Sequence, residues 1–257
     1  TVDVNGSVTT TGASGFASNG TSFDNTGGAI DTSGGTGGIT IDHSGAVTVA
    51  ASLTSAAGSV VINSTGSTVA VSAAVETTTG AVTVDSDGGT TISVAGSITT
   101  TGAGGTVSLG VTGAGAISTA GNITTANETV RIARAVSLTG TITIDTDTGA
   151  GDIDFDDAAT INDDGLGPWN LILTAGAGAV SFGDTEAAGN GRIGGTQAIG
   201  NLDITSAGNV SFFSTGNAAA AANVTIGSGT AAGAVDINGA ITTTGATGFS
   251  SEGTSST

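Results

Sequence analysis

Residues 47–58 read VTVAASLTSAAG, and this stretch shows the two features that decide the fold. Its first half alternates Val with Thr or Ala, so an extended backbone would present one apolar side and one small or polar side. Its second half runs into small residues and Gly, which suit a tight corner. The stretch therefore predicts a short β-strand that is followed at once by a turn.

The same pattern of an apolar residue, small polar residues and Gly returns at a regular interval. It occurs as SVTTTG at 7–12, AIDTSG at 29–34, SLTSAAG at 52–58, AVETTTG at 74–80 and SITTTG at 97–102. The apolar positions of these segments are evenly spaced, and they are Val8, Ile30, Leu53, Val75 and Ile98. AISTAG at 116–121 and NITTAN at 122–127 then compete for the next place. Repeats of this length are typical of solenoids, and Thr and Gly disfavour helices, so we predict an all-β, right-handed parallel β-helix (β-solenoid) with about 22 residues per coil.

A second, longer repeat contains the short one. Residues 2–22 read VDVNGSVTTTGASGFASNGTS and residues 235–255 read VDINGAITTTGATGFSSEGTS, with 15 of 21 positions identical. Chance does not produce such a match, so we expect a segment of a longer tandem array, with further coils or another subunit at its open ends. We predict one continuous solenoid over residues 1–257, in which 1–234 form one unit of roughly ten or eleven coils and 235–257 begin the next. The small-residue run GNAAAAAN at 216–223 is predicted as a loop or corner.

Composition excludes several classes of function. The formal net charge is −18, and Arg131, Arg134 and Arg192 are the only basic residues apart from one histidine. Such a chain repels phosphate backbones and anionic lipid, so nucleic acid and membrane-surface partners are disfavoured. No apolar run reaches the roughly 20 residues that a membrane-spanning helix needs. The absence of cysteine excludes disulfides and thiolate metal sites.

The corners GSIT at 96–99, GNIT at 121–124 and GAIT at 239–242 stand within a Val/Ile–Thr alternation. In this they resemble the filamentous-haemagglutinin-like exoproteins and related giant bacterial β-strand-repeat adhesins. The stretches GPWNLILTAGAGAVSFGD at 167–184 and IGNLDITSAGNVSFF at 199–213 are also similar to repeats in such proteins. The resemblance extends over nearly the whole chain. It implies a right-handed β-helix that is secreted and is attached to a surface or forms filaments.

Residues 145–165, DTDTGAGDIDFDDAATINDDG, form the most suggestive polar cluster. Calcium prefers several carboxylates and carbonyls from a flexible turn, so calcium is the one possible cofactor. The candidate ligands are Asp145, Asp147, Asp152, Asp154 and Asp156. The alternative is plain strand alternation, in which Ile153 and Phe155 point inward and the neighbouring Asp residues face solvent. Both interpretations stay open, because like charges stacked on one face would repel one another and favour a bound cation.

No catalytic constellation is evident. The pairs Asp156–Asp157 and Asp163–Asp164 resemble a general acid and base, but adjacent residues on a strand point to opposite faces. His43 lacks a nucleophile pattern and is predicted as a solvated turn residue. Arg131, Arg134 and Trp169 would suit a polysaccharide-active enzyme, although charge balance explains the two arginines and a filled corner explains the tryptophan. We therefore predict a protein that is not an enzyme.

The predicted function is that of a structural repeat segment in a long fibre, adhesin or sheath protein. Its location would be extracellular, at a bacterial cell surface, and its partners would be further copies of itself, with surface glycans as an additional candidate. Three alternatives remain: an ice-binding solenoid, a glycan-binding solenoid and a β-helix enzyme that acts on polysaccharides. Ice binding is suggested by threonine triplets, because flat Thr ladders can order water; the triplets lie at 9–11, 77–79, 99–101 and 242–244.

Overall fold

The computed structural model describes residues 1–88, 90–113 and 115–256. Every regular element in these residues is a β-strand. The described residues contain no helix that is long and apolar enough to cross a membrane. The parallel strands stack as a β-solenoid of about 11 turns with about 23 residues per turn. The predicted all-β solenoid is therefore confirmed, with a coil slightly longer than expected.

Two compact units can be distinguished, Thr1–Ala126 and Asn127–Thr257. The strands of the first unit are β1 (Val2–Asp3), β2 (Val8–Thr9), β3 (Phe16–Gly20), β4 (Phe23–Asp24), β5 (Ile30–Asp31), β6 (Ile39–His43), β7 (Val47–Val49), β8 (Leu53–Ser55), β9 (Val60–Ser64), β10 (Val69–Val71), β11 (Val75–Thr77), β12 (Val82–Ser86), β13 (Ile92–Val94), β14 (Ile98–Thr100), β15 (Val107–Leu109), β16 (Ile117–Thr119) and β17 (Ile123–Thr124). The strands of the second unit are β18 (Val130–Ile132), β19 (Val136–Leu138), β20 (Ile142–Asp145), β21 (Ile153–Phe155), β22 (Ile161–Asp163), β23 (Leu171–Thr174), β24 (Ala179–Ala187), β25 (Ile199–Ser206), β26 (Asn209–Ser214), β27 (Asn217–Ile226), β28 (Ala232–Ile237), β29 (Ala240–Thr243), β30 (Phe249–Ser251) and β31 (Gly253–Ser256). The predicted division into a repeat unit over 1–234 and the start of the next over 235–257 stays a prediction.

The first unit contains three parallel sheets, in the orders β1-β4-β7-β10-β13-β16, β2-β5-β8-β11-β14-β17 and β3-β6-β9-β12-β15. Each strand pairs with the strands three places before and after it, so three strands make one turn. Leu53 lies between Ile30 and Val75 in register, as the short repeat predicts. AISTAG at 116–121 and NITTAN at 122–127 compete for the place after Ile98 in this ladder. NITTAN takes it, because Ile98 pairs with Ile123.

The second unit has the sheet orders β19-β22, β20-β23-β25-β27-β29 and β18-β21-β24-β26-β28-β31, and β30 also pairs with β27. Its turns are less regular: Leu171 pairs with Leu202, which lies well beyond one average turn along the chain. Residues 216–223 lie mainly within β27, so the prediction of a loop there is wrong, but a corner is not contradicted, because β27 changes partner from β29 to β30 at the end of this run. The small side chains of Ala218 and Ala219 are buried, which shows that the alanine run packs against the core.

The core consists of ladders of apolar side chains that point into the coil. Ile39, Val60 and Val82 follow one another in register, and none of them is exposed. Burial of each such side chain contributes about 1.5–3 kcal/mol to stability. Thr40 and Thr83, which lie next to these residues in the chain, point outward and are not buried. The fold therefore follows directly from the alternation in the sequence.

A ladder of buried hydroxyl groups follows the second sheet of the first unit. Its members lie at or just after the ends of the strands, one per turn: Thr32, Ser55, Thr77, Thr100 and Thr125. Ser55 Oγ donates a hydrogen bond of 2.7 Å to the carbonyl of Gly58, and the Thr77 hydroxyl donates to the carbonyl of Gly80. Each of these bonds satisfies a buried hydroxyl and a corner carbonyl at the same time. Threonine next to Gly in the repeat is thus explained by corner formation.

Candidate functional site

Three neighbouring strands of the second unit carry polar side chains on their outer face. β18, β21 and β24 pair in register, so Arg131, Asp154 and Ser181 lie side by side. Ile153 and Phe155 point into the core and are at most 1 % exposed. The alternation predicted for this segment is therefore correct, and it places Asp154 of β21 and its neighbours Asp152 and Asp156 outside the coil.

Ionic and hydrogen bonds hold these outer side chains in place. The guanidinium of Arg131 donates two hydrogen bonds to Asp156, from Nε to Oδ1 at 2.8 Å and from a terminal nitrogen to Oδ2 at 2.6 Å. Ser181 Oγ donates to Asp154 Oδ1 at 2.6 Å. A two-point arginine–carboxylate contact fixes geometry more strongly than a single bond does. Arg131 thus anchors one side of an acidic cluster.

Asp154, Asp156 and Asp184 form this cluster, with one carboxylate oxygen from each lying within 4.8 Å of the others. The pKa of Asp184 is raised, mainly because burial removes water from its carboxyl group and also because the charges of Asp154, Asp156 and Asp157 repel its own. Arg131 acts in the opposite direction but supplies only one positive charge. The excess negative charge is the physical reason to consider a cation here.

A cleft of about 300 Å³ opens beside the cluster. Its lining residues are Thr129, Asp152, Asp154, Ala179, Ser181, Gly183, Asp184 and Phe213. Asp157 follows Asp156 in the chain, just after β21. It accepts hydrogen bonds from the backbone N–H groups of Asp184 and Thr185 and from the hydroxyl of Thr185. Burial, the largest single effect, raises the pKa of Asp157, but these hydrogen bonds together outweigh it and the pKa lies below its usual value.

The five predicted calcium ligands are only partly brought together. Asp154 and Asp156 belong to the cluster, whereas Asp152 lies along the cleft and accepts a hydrogen bond from the backbone N–H of Ala179 at 2.7 Å. Asp145 accepts the backbone N–H of Asp147 at 2.8 Å, and Asp147 has a φ of 68°, so these two residues shape an exposed turn. Among the described residues the metal-like group therefore contains two of the five, and the calcium site stays a prediction.

Asp184 is the member of the cluster that the sequence reasoning missed. Phe155 and Phe182 are paired in register, and each is followed two positions later by an aspartate, Asp157 and Asp184. The shared Phe-x-Asp pattern of FDD at 155–157 and FGD at 182–184 could have revealed the alignment. It was hidden because the interval between the two motifs is longer than the average coil.

We expect calcium to stabilise the protein if the cluster binds it. For a dissociation constant typical of extracellular modules, roughly 10⁻⁴–10⁻³ M, 10 mM calcium would add about 1.4–2.7 kcal/mol to the free energy of unfolding. Asp184→Asn should abolish the effect, whereas Asp236→Asn on the same sheet should retain it. Thermal melting with and without calcium measures this, and an unchanged melting temperature in the unmutated chain would remove the site.

The second pair of adjacent aspartates, Asp163 and Asp164, accepts hydrogen bonds from a loop. The two oxygens of Asp163 accept the backbone N–H groups of Gly165 and Trp169, at 2.7 and 2.8 Å. Asp164 Oδ1 accepts the backbone N–H of Leu166 and the indole Nε1–H of Trp169, each at 2.9 Å. The hydrogen bonds of Asp163 and Asp164 therefore explain how residues 163–169 are held.

His43 is not a solvated turn residue, and that prediction is wrong. Alternation along β6 places it on the inner face after Ile39 and Ile41, and it is 1 % exposed. Its Nε2 lies 3.0 Å from Ser18 Oγ, its ring centroid lies 5.6 Å from that of Phe23, and Nδ1 has no hydrogen-bond partner among the described residues. Gly20, its partner in register, leaves room for the imidazole. Burial, assisted by the positive N-terminus and opposed by Asp42, lowers the pKa of His43.

The burial of His43 predicts a loss of stability in mild acid. The folded state favours the neutral ring, whereas the unfolded chain takes up a proton below about pH 6.5. The free energy of unfolding should therefore fall between pH 6.5 and 5.5, by at most about 1.4 kcal/mol. His43→Ser, which places at this position the residue type of its neighbour Ser64, should remove that part of the pH dependence. Urea titrations of both proteins at pH 7.5, 6.5 and 5.5 measure the difference, and parallel pH profiles would contradict the prediction.

Outward-facing threonines do not form an unbroken array in the first unit. Thr54, Glu76 and Thr99 follow one another in register on the outer face of the second sheet. Each three-residue strand presents a single outward residue per turn, and the acidic Glu76 interrupts the hydroxyl row. This interruption weakens the ice-binding alternative, which requires regularly spaced threonines in successive coils.

The chain matches no protein-family model, no curated protein and no solved structure at a significant level.

Proposed function

We propose that the protein is a structural segment of a long extracellular fibre, adhesin or sheath on a bacterial surface. In such a protein, length and stiffness come from stacked coils, and any contact with the surroundings comes from the outer face. Its main partners are further copies of the same unit, and surface glycans are a second class of partner. Function then depends on the continuity of the solenoid.

One observation carries this proposal: residues 2–22 return at 235–255 with 15 of 21 positions identical. A tandem repeat of whole solenoid units extends a fibre without requiring a new kind of interface, because each repeat contacts only its neighbours. The chemistry of the outer face is compatible with an extracellular role. The charge of −18 keeps such a surface soluble and resists non-specific association with other acidic polymers.

A polysaccharide-active enzyme is the second candidate, because one specific observation favours it. The cleft of about 300 Å³ has Asp154 and Asp184 in its lining, and the pKa of Asp184 is raised, whereas the pKa of Asp157, which accepts the backbone N–H of Asp184, is lowered. Carboxyl groups with separated pKa values are typical of acid–base pairs. Release of new sugar chain ends from acidic or neutral polysaccharides, lost in Asp184→Asn and kept in Asp236→Asn, would favour this candidate over the structural proposal.

The structural proposal is tested on the native protein in its source organism. Antibodies raised against the chain should label intact cells without permeabilisation, and the protein they detect should be long enough to hold several whole units. Preimmune serum and antibodies to a cytosolic protein serve as controls. A native protein that carries a single copy of the unit, or label that requires broken cells, would overturn the proposal.

A further inference from the structure

The two matching segments close turns of equal length. In the first copy (residues 2–22), Val2 pairs with Phe23, and in the second copy (residues 235–255), Val235 pairs with Ser256. The interval from residue to partner is the same in both copies. The second copy begins on a different sheet of the coil, because β28 lies on the sheet of β3 and β30 pairs with β27 on the sheet of β2, so equivalent residues are compared by their position within the turn.

The first copy is covered by the coil that follows it. β3 pairs with β6 over the whole of Phe16–Gly20, and this pairing places Ile39 on Phe16 and Ile41 on Ser18. The ring centroid of Phe23 lies 6.3 Å from that of Phe16, in an edge-to-face contact. The inward side chains of the covering coil are at most 1 % exposed, and they are Phe23, Ile30, Ile39, Ile41 and His43.

In the second copy, β30 is the counterpart of Phe16–Ser18, and it pairs only with β27 of the preceding coil in the part of the chain that the structure describes. A cavity of about 290 Å³ lies there, lined by Val235, Ile237, Phe249, Ser251 and Gly253. The counterparts of these residues in the first copy are Val2, Val4, Phe16, Ser18 and Gly20, and four of the five are identical. Phe249 is 44 % exposed, although its counterpart packs against an aromatic ring.

We propose that this cavity is the docking surface for a coil whose inward residues match those of residues 23–45, supplied by the next repeat of the same chain. This inference rests on the proposed function and deepens it, because it names the partner of the open coil. The occupant is set by the first copy, in which the same five positions are already part of an observed interface.

Three features of the cavity fit that occupant. The exposed ring of Phe249 needs an apolar partner, which Ile39 supplies to Phe16 in the first copy. Ser251 provides the hydroxyl that Ser18 offers to His43, and Gly253 provides the space that Gly20 leaves for the imidazole. Directly after the second copy, Ser256 stands where Phe23 stands after the first copy, so no aromatic ring is present at that position. The fit therefore depends on the residues of the docking coil that are equivalent to 39–43.

The test extends the protein by one coil. Residues 1–255 are followed directly by residues 23–45, and the matched control carries Ser at Phe23, Ile30, Ile39, Ile41 and His43 of the added coil. Amide hydrogen exchange is measured across Phe249–Ser251 in both chains. We expect exchange to be at least about tenfold slower with the unmodified extension than with the control.

Two outcomes would overturn the proposal, and two further outcomes would separate it from the fibre proposal. Equal exchange in the two extended chains would overturn it. Protection of the unextended chain that rises with protein concentration would also overturn it, in favour of a second molecule as the occupant. If docking fails but the native protein still contains many repeat units, the docking proposal falls. The fibre proposal then stands, with repeat units that do not form one continuous solenoid. If docking succeeds and the native protein has one unit, the cavity accepts a coil of this kind, but the fibre proposal falls and the next repeat is overturned as the source of that coil.

Discussion

Phe182→Ala should lower the free energy of unfolding by about 4 kcal/mol. Phe182 is 1 % exposed and lies between Phe155 and Phe212 in register. The ring centroid of Phe182 lies 5.2 Å from that of Phe155, with an interplanar angle of 10°, and 4.8 Å from that of Phe212, with an interplanar angle of 19°. Removal of the middle ring forfeits its burial, leaves a cavity and ends two stacking contacts, each of which adds roughly 0.5–1.5 kcal/mol.

Chemical denaturation followed by circular dichroism and by Trp169 fluorescence measures this change. Ser211→Ala is the matched control, because Ser211 lies on the outer face of the strand that carries Phe212 and should change stability by less than about 0.5 kcal/mol. Phe182→Leu keeps an apolar side chain but loses both ring contacts, so it should cost less than Phe182→Ala, roughly 1–3 kcal/mol. A Phe182→Ala protein as stable as the Ser211→Ala protein would show that the aromatic stack is not part of a packed core.

Gly58→Ala should destabilise the protein by about 3 kcal/mol, although it adds only one methyl group. A Cβ atom at Gly58 would lie 2.1 Å from the backbone nitrogen of Gly38, and one at Gly80 would lie 2.1 Å from the backbone oxygen of Gly58. These glycines stack in successive coils, so their backbones approach too closely for any side chain. The added methyl group must push two coils apart, which weakens the hydrogen bonds between them.

Gly12→Ala is the control for this prediction. A Cβ atom at Gly12 meets no atom within 4 Å, and its backbone does not lie in the left-handed region. The substitution should be neutral or stabilise the protein by about 0.4–1 kcal/mol, because alanine restricts the unfolded chain. Equal effects at Gly12 and Gly58 would contradict the close approach of the coils.

The regular part of the fold could be predicted because, in a solenoid, apolar side chains stack on apolar side chains at the same position of successive coils. The ladder through Ile30, Leu53 and Val75 follows from the even spacing of the short repeat, and its members are fully buried. The alternation of Ile153 and Phe155 with Asp residues was equally readable. Both rest on a period of two along a strand, which the sequence displays directly.

The remaining features depend on corner lengths, which vary without changing the strands. Leu171 and Leu202 are separated by much more than one average turn, so a search at a fixed period does not align them. The placement of Asp184 beside Asp156 has the same origin. His43 was misassigned for a different reason: a polar residue type outweighed the inward position that Ile39 and Ile41 indicate.

The most direct test of the central claim uses a chain of two units, residues 1–255 followed by residues 23–257. Cryo-electron microscopy or small-angle scattering compares it with the single chain. If the units form one continuous solenoid, the particle should lengthen by roughly 50 Å, with coils about 4.8 Å apart through the junction and an unchanged cross-section. A flexible joint at residues 235–255, or two units that lie side by side with a larger cross-section, would contradict the account.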